Sequence, residues 1–78
     1  MALLEITEVV DARGLSCPLP IVRTAQAMKR IAAGQIVEVL TTEAGSIKDF
    51  AAWSRATGNA LLESSADAGV YRFVVQRK

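Results

Sequence analysis

The stretch Cys17-Pro18-Leu19-Pro20 constrains the fold of this chain more than any other. Proline lacks a backbone N–H and has a fixed φ, so two prolines this close suit the first turn of a helix, whose N–H groups have no intrahelical partner. We therefore predict a helix over 18–33 with Cys17 as its N-cap. The N–H groups of Cys17 and Leu19 should then lie near the sulfur.

Apolar periodicity predicts the other elements. Alternating and β-branched runs indicate strands over 4–10, 35–41, 60–65 and 70–76, and a second helix should span 46–57. Asp67 and Gly69 mark the turn of an antiparallel hairpin. Because a βαβ unit crosses over right-handedly, both helices should pack on one face of the sheet. The predicted fold is an α/β (α+β) two-layer sandwich, β-α-β-α-β-β, with a mixed four-stranded sheet, in one domain over 1–78.

The helical periodicity also predicts which residues are buried. The first helix should bury Ile21, Ala25, Met28 and Ala32, with Val22 and Ile31 at the margins. The second should bury Ile47, Phe50 and Ala51, with Trp53 at its margin. Gly34 and Gly58 should end the two helices. Ser46 and Asp49 resemble a capping box that opens the second helix.

Composition narrows the class of protein. The 78 residues are 51% hydrophobic and carry nine basic and eight acidic side chains, one cysteine and no histidine. That charge balance lacks the basic excess typical of nucleic-acid binding, and a chain with one Cys and no His cannot build a zinc site. No apolar run is long enough for a membrane span, and the N-terminus does not resemble a signal peptide. We expect a cytoplasmic protein with no metal, no resident cofactor and no direct nucleic-acid or membrane partner.

Cys17 has two interpretations. A single cysteine is often a small buried core residue. At a helix N-terminus, however, the partial positive charge favours the thiolate, and Arg13 lies four residues before it. No histidine is present to act as a base, which argues against a hydrolase.

These residues resemble the TusA-like (SirA-like) sulfur-carrier family. The stretch VDARGLSCPLPIVRTAQAM carries the Asp, Gly and Cys-Pro-x-Pro pattern of that family at Asp11, Gly14, Cys17, Pro18 and Pro20. The resemblance covers nearly the whole chain as one TusA-like domain. It implies that Cys17 accepts a sulfane sulfur as a transient persulfide from a desulfurase or rhodanese-type donor and relays it to an acceptor protein. The pathways implied are tRNA thiolation, cofactor assembly and sulfur oxidation, with the protein acting as a relay sulfurtransferase.

The chain departs from the family pattern at two positions. Ala44 follows Glu43 where many members have proline, and Ser54 stands near a second cysteine that some members carry. With one cysteine, any disulfide or sulfur transfer must be intermolecular.

Other candidate site residues each have an ordinary structural alternative. Pro18 and Pro20 should hold the thiol rigidly, and Asp11 should accept backbone N–H bonds in its loop. Gly14 allows a tight loop or is an ordinary turn glycine, and Arg13 stabilises a persulfide or is a solvated side chain. The basic residues Arg23, Lys29 and Arg30 dock partners or form a solvated helix face. Glu43 and Asp49 contact a donor protein, unless Asp49 is only a helix cap.

Two other functions stay open from sequence. One is a non-enzymatic regulatory or RNA-binding module, which the charge balance and the few aromatic residues disfavour. The other is a thiol redox sensor in which Cys17 is oxidised and then capped by a small thiol.

Overall fold

The computed structural model describes residues 5–78, and its elements follow the predicted order. The strands are β1 (Ile6–Ala12), β2 (Ile36–Thr41), β3 (Ala60–Asp67) and β4 (Val70–Gln76). The helices are α1 (Leu19–Met28) and α2 (Ser46–Thr57). The predicted α+β sandwich is confirmed; the predicted start of β1 at Leu4 lies outside the described residues.

The strand order of the sheet is β1-β2-β4-β3. Strand β1 pairs in parallel with β2, whereas β4 pairs antiparallel with both β2 and β3. The carboxyl ends of the parallel pair therefore lie at one edge of the sheet. Since α1 follows β1 and α2 follows β2, both helices begin at that edge.

The core lies between one face of the sheet and the two helices. Phe50 of α2 and Phe73 of β4 are fully buried, and their rings stack with centroids 4.4 Å apart. The other buried members of this cluster are Val10, Ala12, Ala27, Met28, Ile31, Val37, Val39 and Val75. Arg72 lies on the opposite face of β4, where it pairs with Glu38 and Glu63.

The buried face of α1 differs from the predicted one. Pro20, Thr24, Ala27 and Met28 are buried, whereas Val22 and Ala32 are exposed. Thr24 can be buried because its hydroxyl donates to the Pro20 carbonyl at 2.8 Å, which satisfies the polar group locally. The predicted burial of Met28 is confirmed, whereas Thr24 was missed because the prediction counted only apolar side chains.

Helix α1 also ends earlier than predicted. The N–H groups of Lys29 and Arg30 donate to carbonyls three residues back, at 3.2 and 3.0 Å, so the helix tightens and stops. Ile31 is then buried, and its carbonyl accepts a 2.7 Å bond from Arg77. Gly34 lies outside the helix and donates to the Arg77 carbonyl, so its predicted role as the helix stop was wrong.

The entrance of α2 lacks the predicted capping box. Gly45 is the N-cap, and within residues 5–78 no side chain makes a capping hydrogen bond there. The Ser46 hydroxyl is buried and accepts a 2.9 Å bond from the Thr41 hydroxyl of β2, so it is not free to cap. Ser46 and Phe50 face the core, which turns Ile47 outward at 47% exposure and overturns its predicted burial. Gly58 ends α2 as predicted.

The β3–β4 turn is shorter than predicted: Gly69 is a turn residue as expected, whereas Asp67 belongs to β3. Asp67 pairs with Val70 at the end of β3, so the two turn residues are Ala68 and Gly69. Both have positive φ, at 51° and 81°, as a tight two-residue hairpin turn requires.

Candidate functional site

Cys17 is an exposed free thiol at the entrance of α1. The N-cap is Pro18 rather than Cys17, with Pro20 as the second residue of the helix, and the Cys17–Pro18 peptide bond is cis. The Leu19 N–H donates to the Ser16 carbonyl at 2.9 Å. It is therefore not available to the sulfur, contrary to the sequence prediction. The exposure excludes the alternative of a buried core cysteine.

The partner of Cys17 comes from the other helix. The thiol donates a hydrogen bond to Asp49 Oδ2, with an Sγ–Oδ2 distance of 3.3 Å. This bond, desolvation, and the charges of Asp49 and Glu43 together raise the pKa of Cys17 above its ordinary value. The prediction of a favoured thiolate was wrong, because it counted the helix N-terminus and Arg13 but not these carboxylates.

Glu43 lies in the same cluster, on the loop between β2 and α2. Its Oε1 accepts a 3.2 Å bond from the Gly45 N–H. A Cβ built on Gly45 would lie 3.7 Å from Glu43 Oε1 and 3.8 Å from Asp49 Oδ2. Gly45 therefore lies between the two carboxylates, and both face the entrance of α2.

The Arg13 side chain binds Asp11 rather than the Cys17 thiol. Its guanidinium binds both carboxylate oxygens of Asp11, each at 2.9 Å, and its backbone N–H donates to Asp11 Oδ1. These bonds lower the pKa of Asp11 to about 2. Gly14 has φ +81°, which fits the predicted tight loop, and its N–H donates to the Thr42 hydroxyl at 2.8 Å.

Of the three basic residues of the predicted partner-binding face, only Arg23 lies within α1. Lys29 and Arg30 follow the end of α1, and Arg30 pairs with Glu8 of β1. Arg23 and Arg30 line an open cavity of about 270 Å³ along β1, with Glu8 and Asp11 among its other walls. Helix α1 is about 15 Å long, so Lys29 and Arg30, which follow its last residue, are distant from Cys17.

Exposed apolar side chains lie on the first turns of both helices. Leu19 and Val22, on the first turn of α1, are 44% and 42% exposed, and Ile47 lies on the first turn of α2. Together with Cys17 and the two carboxylates that act on it, the helix entrances carry a nucleophilic atom, exposed apolar area and negative charge. We call these residues, Cys17, Leu19, Val22, Glu43, Ile47 and Asp49, the thiol surface.

Within residues 5–78, no three His, Cys, Asp or Glu side chains lie close enough together to hold a metal ion. Neither α1 nor α2, the helices of the described part of the chain, is long and apolar enough to cross a membrane.

Sequence reasoning missed the bond between Cys17 and Asp49. Asp49 was named as a partner contact or a cap, and Gly45 and Thr42 were not singled out at all. The parallel βαβ unit carried a usable signal, since it places the N-termini of both helices at one edge of the sheet.

The fold and site define a small α+β sandwich protein that presents one thiol at a helix entrance. The family described as "Sulfurtransferase TusA" matches residues 8–77. The chain is 41% identical to the sulfur carrier protein TusA of Allochromatium vinosum over 68 residues, 87% of this chain and 90% of that protein. The crystal structure of a SirA-like protein from Desulfitobacterium hafniense has a TM-score of 0.79 and 26% identity, covering 90% of this chain and 96% of that chain. The protein belongs to the TusA family.

Proposed function

We propose that this protein is a sulfur carrier that holds a sulfane sulfur as a persulfide on Cys17 and passes it to an acceptor protein. The observation that carries the proposal is the exposed Cys17 at the entrance of α1, in a chain that belongs to the TusA family. The TusA protein of Allochromatium vinosum, named as a sulfur carrier, supports the same role.

The proposed transfer needs only the thiol of this chain. Cys17 Sγ attacks the outer sulfur of a donor persulfide, so that an Sγ–S bond forms while the S–S bond of the donor breaks. The donor sulfur leaves as a thiolate and takes the proton that Cys17 loses. Because the sulfane sulfur is transferred without net oxidation, the step requires no resident cofactor. The transferred sulfur is the substrate of the reaction.

The thiol surface suits contact with donor and acceptor proteins. Leu19, Val22 and Ile47 offer exposed apolar area next to the reactive atom. A partner must approach here because transfer requires contact between its sulfur and Cys17 Sγ. We propose desulfurase or rhodanese-type donors, and a reducing compartment such as the cytoplasm, where an exposed thiol stays free.

The raised pKa of Cys17 disfavours the redox-sensor alternative. Susceptibility to peroxide follows thiolate character, and the carboxylates beside Cys17 favour the thiol. The RNA-binding alternative gains little support, because Arg13, Arg30 and Arg72 are paired with carboxylates and Trp53 packs against the core.

Mass spectrometry of the intact protein tests the proposal. After incubation with a persulfide donor, the chain should gain the mass of one sulfur atom, dithiothreitol should remove it, and Cys17→Ser should not acquire it. The matched control is Ser16→Cys/Cys17→Ser, which keeps one cysteine but displaces it by one residue. We expect this variant to lose most of the transfer to an acceptor. Sulfur loading of Cys17→Ser, or no loading of the native chain by any donor, would overturn the proposed function.

A further inference from the structure

Cys17 and Asp49 are 32 residues apart in sequence, and the hydrogen bond between them joins the entrances of the two helices. Asp49 is held in place by α2, whose next residue, Phe50, is fully buried against Phe73. The carboxylate is therefore presented to the thiol by a packed element. The inference drawn from this contact concerns the proposed sulfur carrier and rests on that proposed function.

The empty carrier, in which Cys17 is a thiol, and the loaded carrier, in which Cys17 is a persulfide, interact differently with Asp49. The empty carrier has a neutral thiol, which donates a hydrogen bond to Asp49 Oδ2 at 3.3 Å. A persulfide is more acidic than its parent thiol, so the loaded carrier bears an anion at neutral pH. That anion cannot donate the bond, and it lies near two carboxylates, Asp49 and Glu43, which repel it.

The charges that reach the thiol come from the described elements around it. Asp49 on α2 and Glu43 on the β2–α2 loop both act to raise the pKa of Cys17. Arg13, on the β1–α1 loop, is bound to Asp11 through both carboxylate oxygens. The side-chain charges that act on Cys17 are therefore carboxylates, although the sulfur lies at a helix N-terminus.

We propose that Asp49 is a positioning residue that keeps the empty carrier in its thiol form and destabilises the loaded carrier, so that the sulfur is released readily. With glutathione persulfide as the donor, the exchange is GSS⁻ + Cys17–SH → Cys17–SS⁻ + GSH. The Sγ–S bond forms, the S–S bond of the donor breaks, and the thiol proton passes to glutathione without net oxidation. Each loading event thus exchanges a hydrogen-bonded thiol for an anion beside Asp49.

Two measurements on Asp49→Asn test this inference. The first is the pH profile of Cys17 alkylation by iodoacetamide, which reacts with the thiolate. We expect the profile of the variant to move to lower pH by about one unit, so that alkylation at pH 7.5 is roughly tenfold faster. The second is the ratio of loaded to empty carrier in a fixed glutathione persulfide and glutathione mixture, which should rise roughly three- to tenfold in the variant.

Two further variants serve as controls. Asp67→Asn makes the same chemical change at an exposed position before the β3–β4 turn and should leave both measurements unchanged. Glu43→Gln removes the second carboxylate, which receives no bond from the thiol, and should change both in the same direction by a smaller factor. Circular dichroism establishes that each variant is folded.

The outcomes separate this inference from the proposed function. If the native chain loads and Asp49→Asn matches it in both measurements, Asp49 does not tune the thiol and the inference is wrong. If the native chain fails to load under any donor, the proposed function is wrong. The native chain supplies a test without substitution, since a Cys17 that titrates at or below an ordinary cysteine would also overturn the inference.

Discussion

The entrances of α1 and α2 hold the first turn of each helix with different residues. At α1, Pro18 and Pro20 remove backbone donors, and the first turn is held by nearby bonds such as that from Leu19 to Ser16. At α2, the first turn is tied to the sheet through Ser46 and Thr41. The entrance of α1 presents the Cys17 thiol, and the entrance of α2 presents the Asp49 carboxylate, which accepts a hydrogen bond from that thiol. The difference shows that a helix N-terminus alone does not fix the electrostatics of a thiol, because a carboxylate within hydrogen-bond distance acts to raise the pKa of Cys17.

The largest expected effect on stability comes from truncating Phe50, the fully buried aromatic side chain of α2. Phe50→Ala should lower the free energy of unfolding by about 3–5 kcal/mol, because it removes a fully buried ring and leaves a cavity against Phe73. Urea denaturation followed by circular dichroism measures this change. The matched control is Ile47→Ala on the same helix, which should cost under about 1 kcal/mol because its side chain is half exposed. Equal costs for the two variants would show that α2 is not held through Phe50.

A smaller effect is expected at the entrance of α1. Pro20→Ala should lower the free energy of unfolding by about 1–2 kcal/mol, because it frees the unfolded backbone and removes buried ring carbons. We also expect slower loading of Cys17 by a persulfide donor, because the turn that holds the thiol is less rigid. Stopped-flow or quenched mass spectrometry measures the rate.

Gln26→Ala provides the control for Pro20→Ala, since Gln26 is exposed on the same helix. This variant should load at the native rate. A native rate in Pro20→Ala would show that the proline does not preorganise the thiol, whatever its contribution to stability.

The smallest effect concerns the loop before α1 at low pH. The bonds from Arg13 hold the pKa of Asp11 at about 2 in the folded chain, against an ordinary value of 3.8. A carboxyl with a lowered folded pKa contributes stability above its unfolded pKa, and this contribution is lost as the pH falls from 3.8 towards 2. Asp11→Asn should therefore show a shallower loss of stability across that interval than the native chain. Since both side chains are exposed, 1 M NaCl should reduce the difference, and identical acid profiles at low salt would contradict the assignment.

Most of the fold was predictable because its signals are local. The Pro-x-Pro pair marks the start of α1 within one residue, and Gly58 marks the end of α2. Alternation and β-branched residues indicate the strands, and the short link between β3 and β4 predicts their hairpin. The candidate nucleophile, Cys17, could also be predicted from its place beside the prolines.

The errors fall where a side chain has a partner distant in sequence or an unexpected local one. Ser46 was interpreted as half of a capping box, but its hydroxyl is taken by Thr41. Thr24 was left out of the buried face of α1, although its bond to the Pro20 carbonyl permits burial. Arg13 was expected either to stabilise a persulfide or to be solvated, whereas its guanidinium binds Asp11, two residues away.

The sequence by itself determined that a single cysteine stands at the start of a helix in a β-α-β-α-β-β chain. It determined this through backbone chemistry, since the missing N–H groups and fixed φ of two prolines act on the residues next to them. The charged groups around that cysteine, by contrast, depend on the tertiary structure. The parallel pairing of β1 and β2 brings the entrance of α2 to that of α1, and a hydrogen bond of 3.3 Å then sets the electrostatic environment of the sulfur. Charge interactions depend on distance in space, which the order of residues along the chain does not specify.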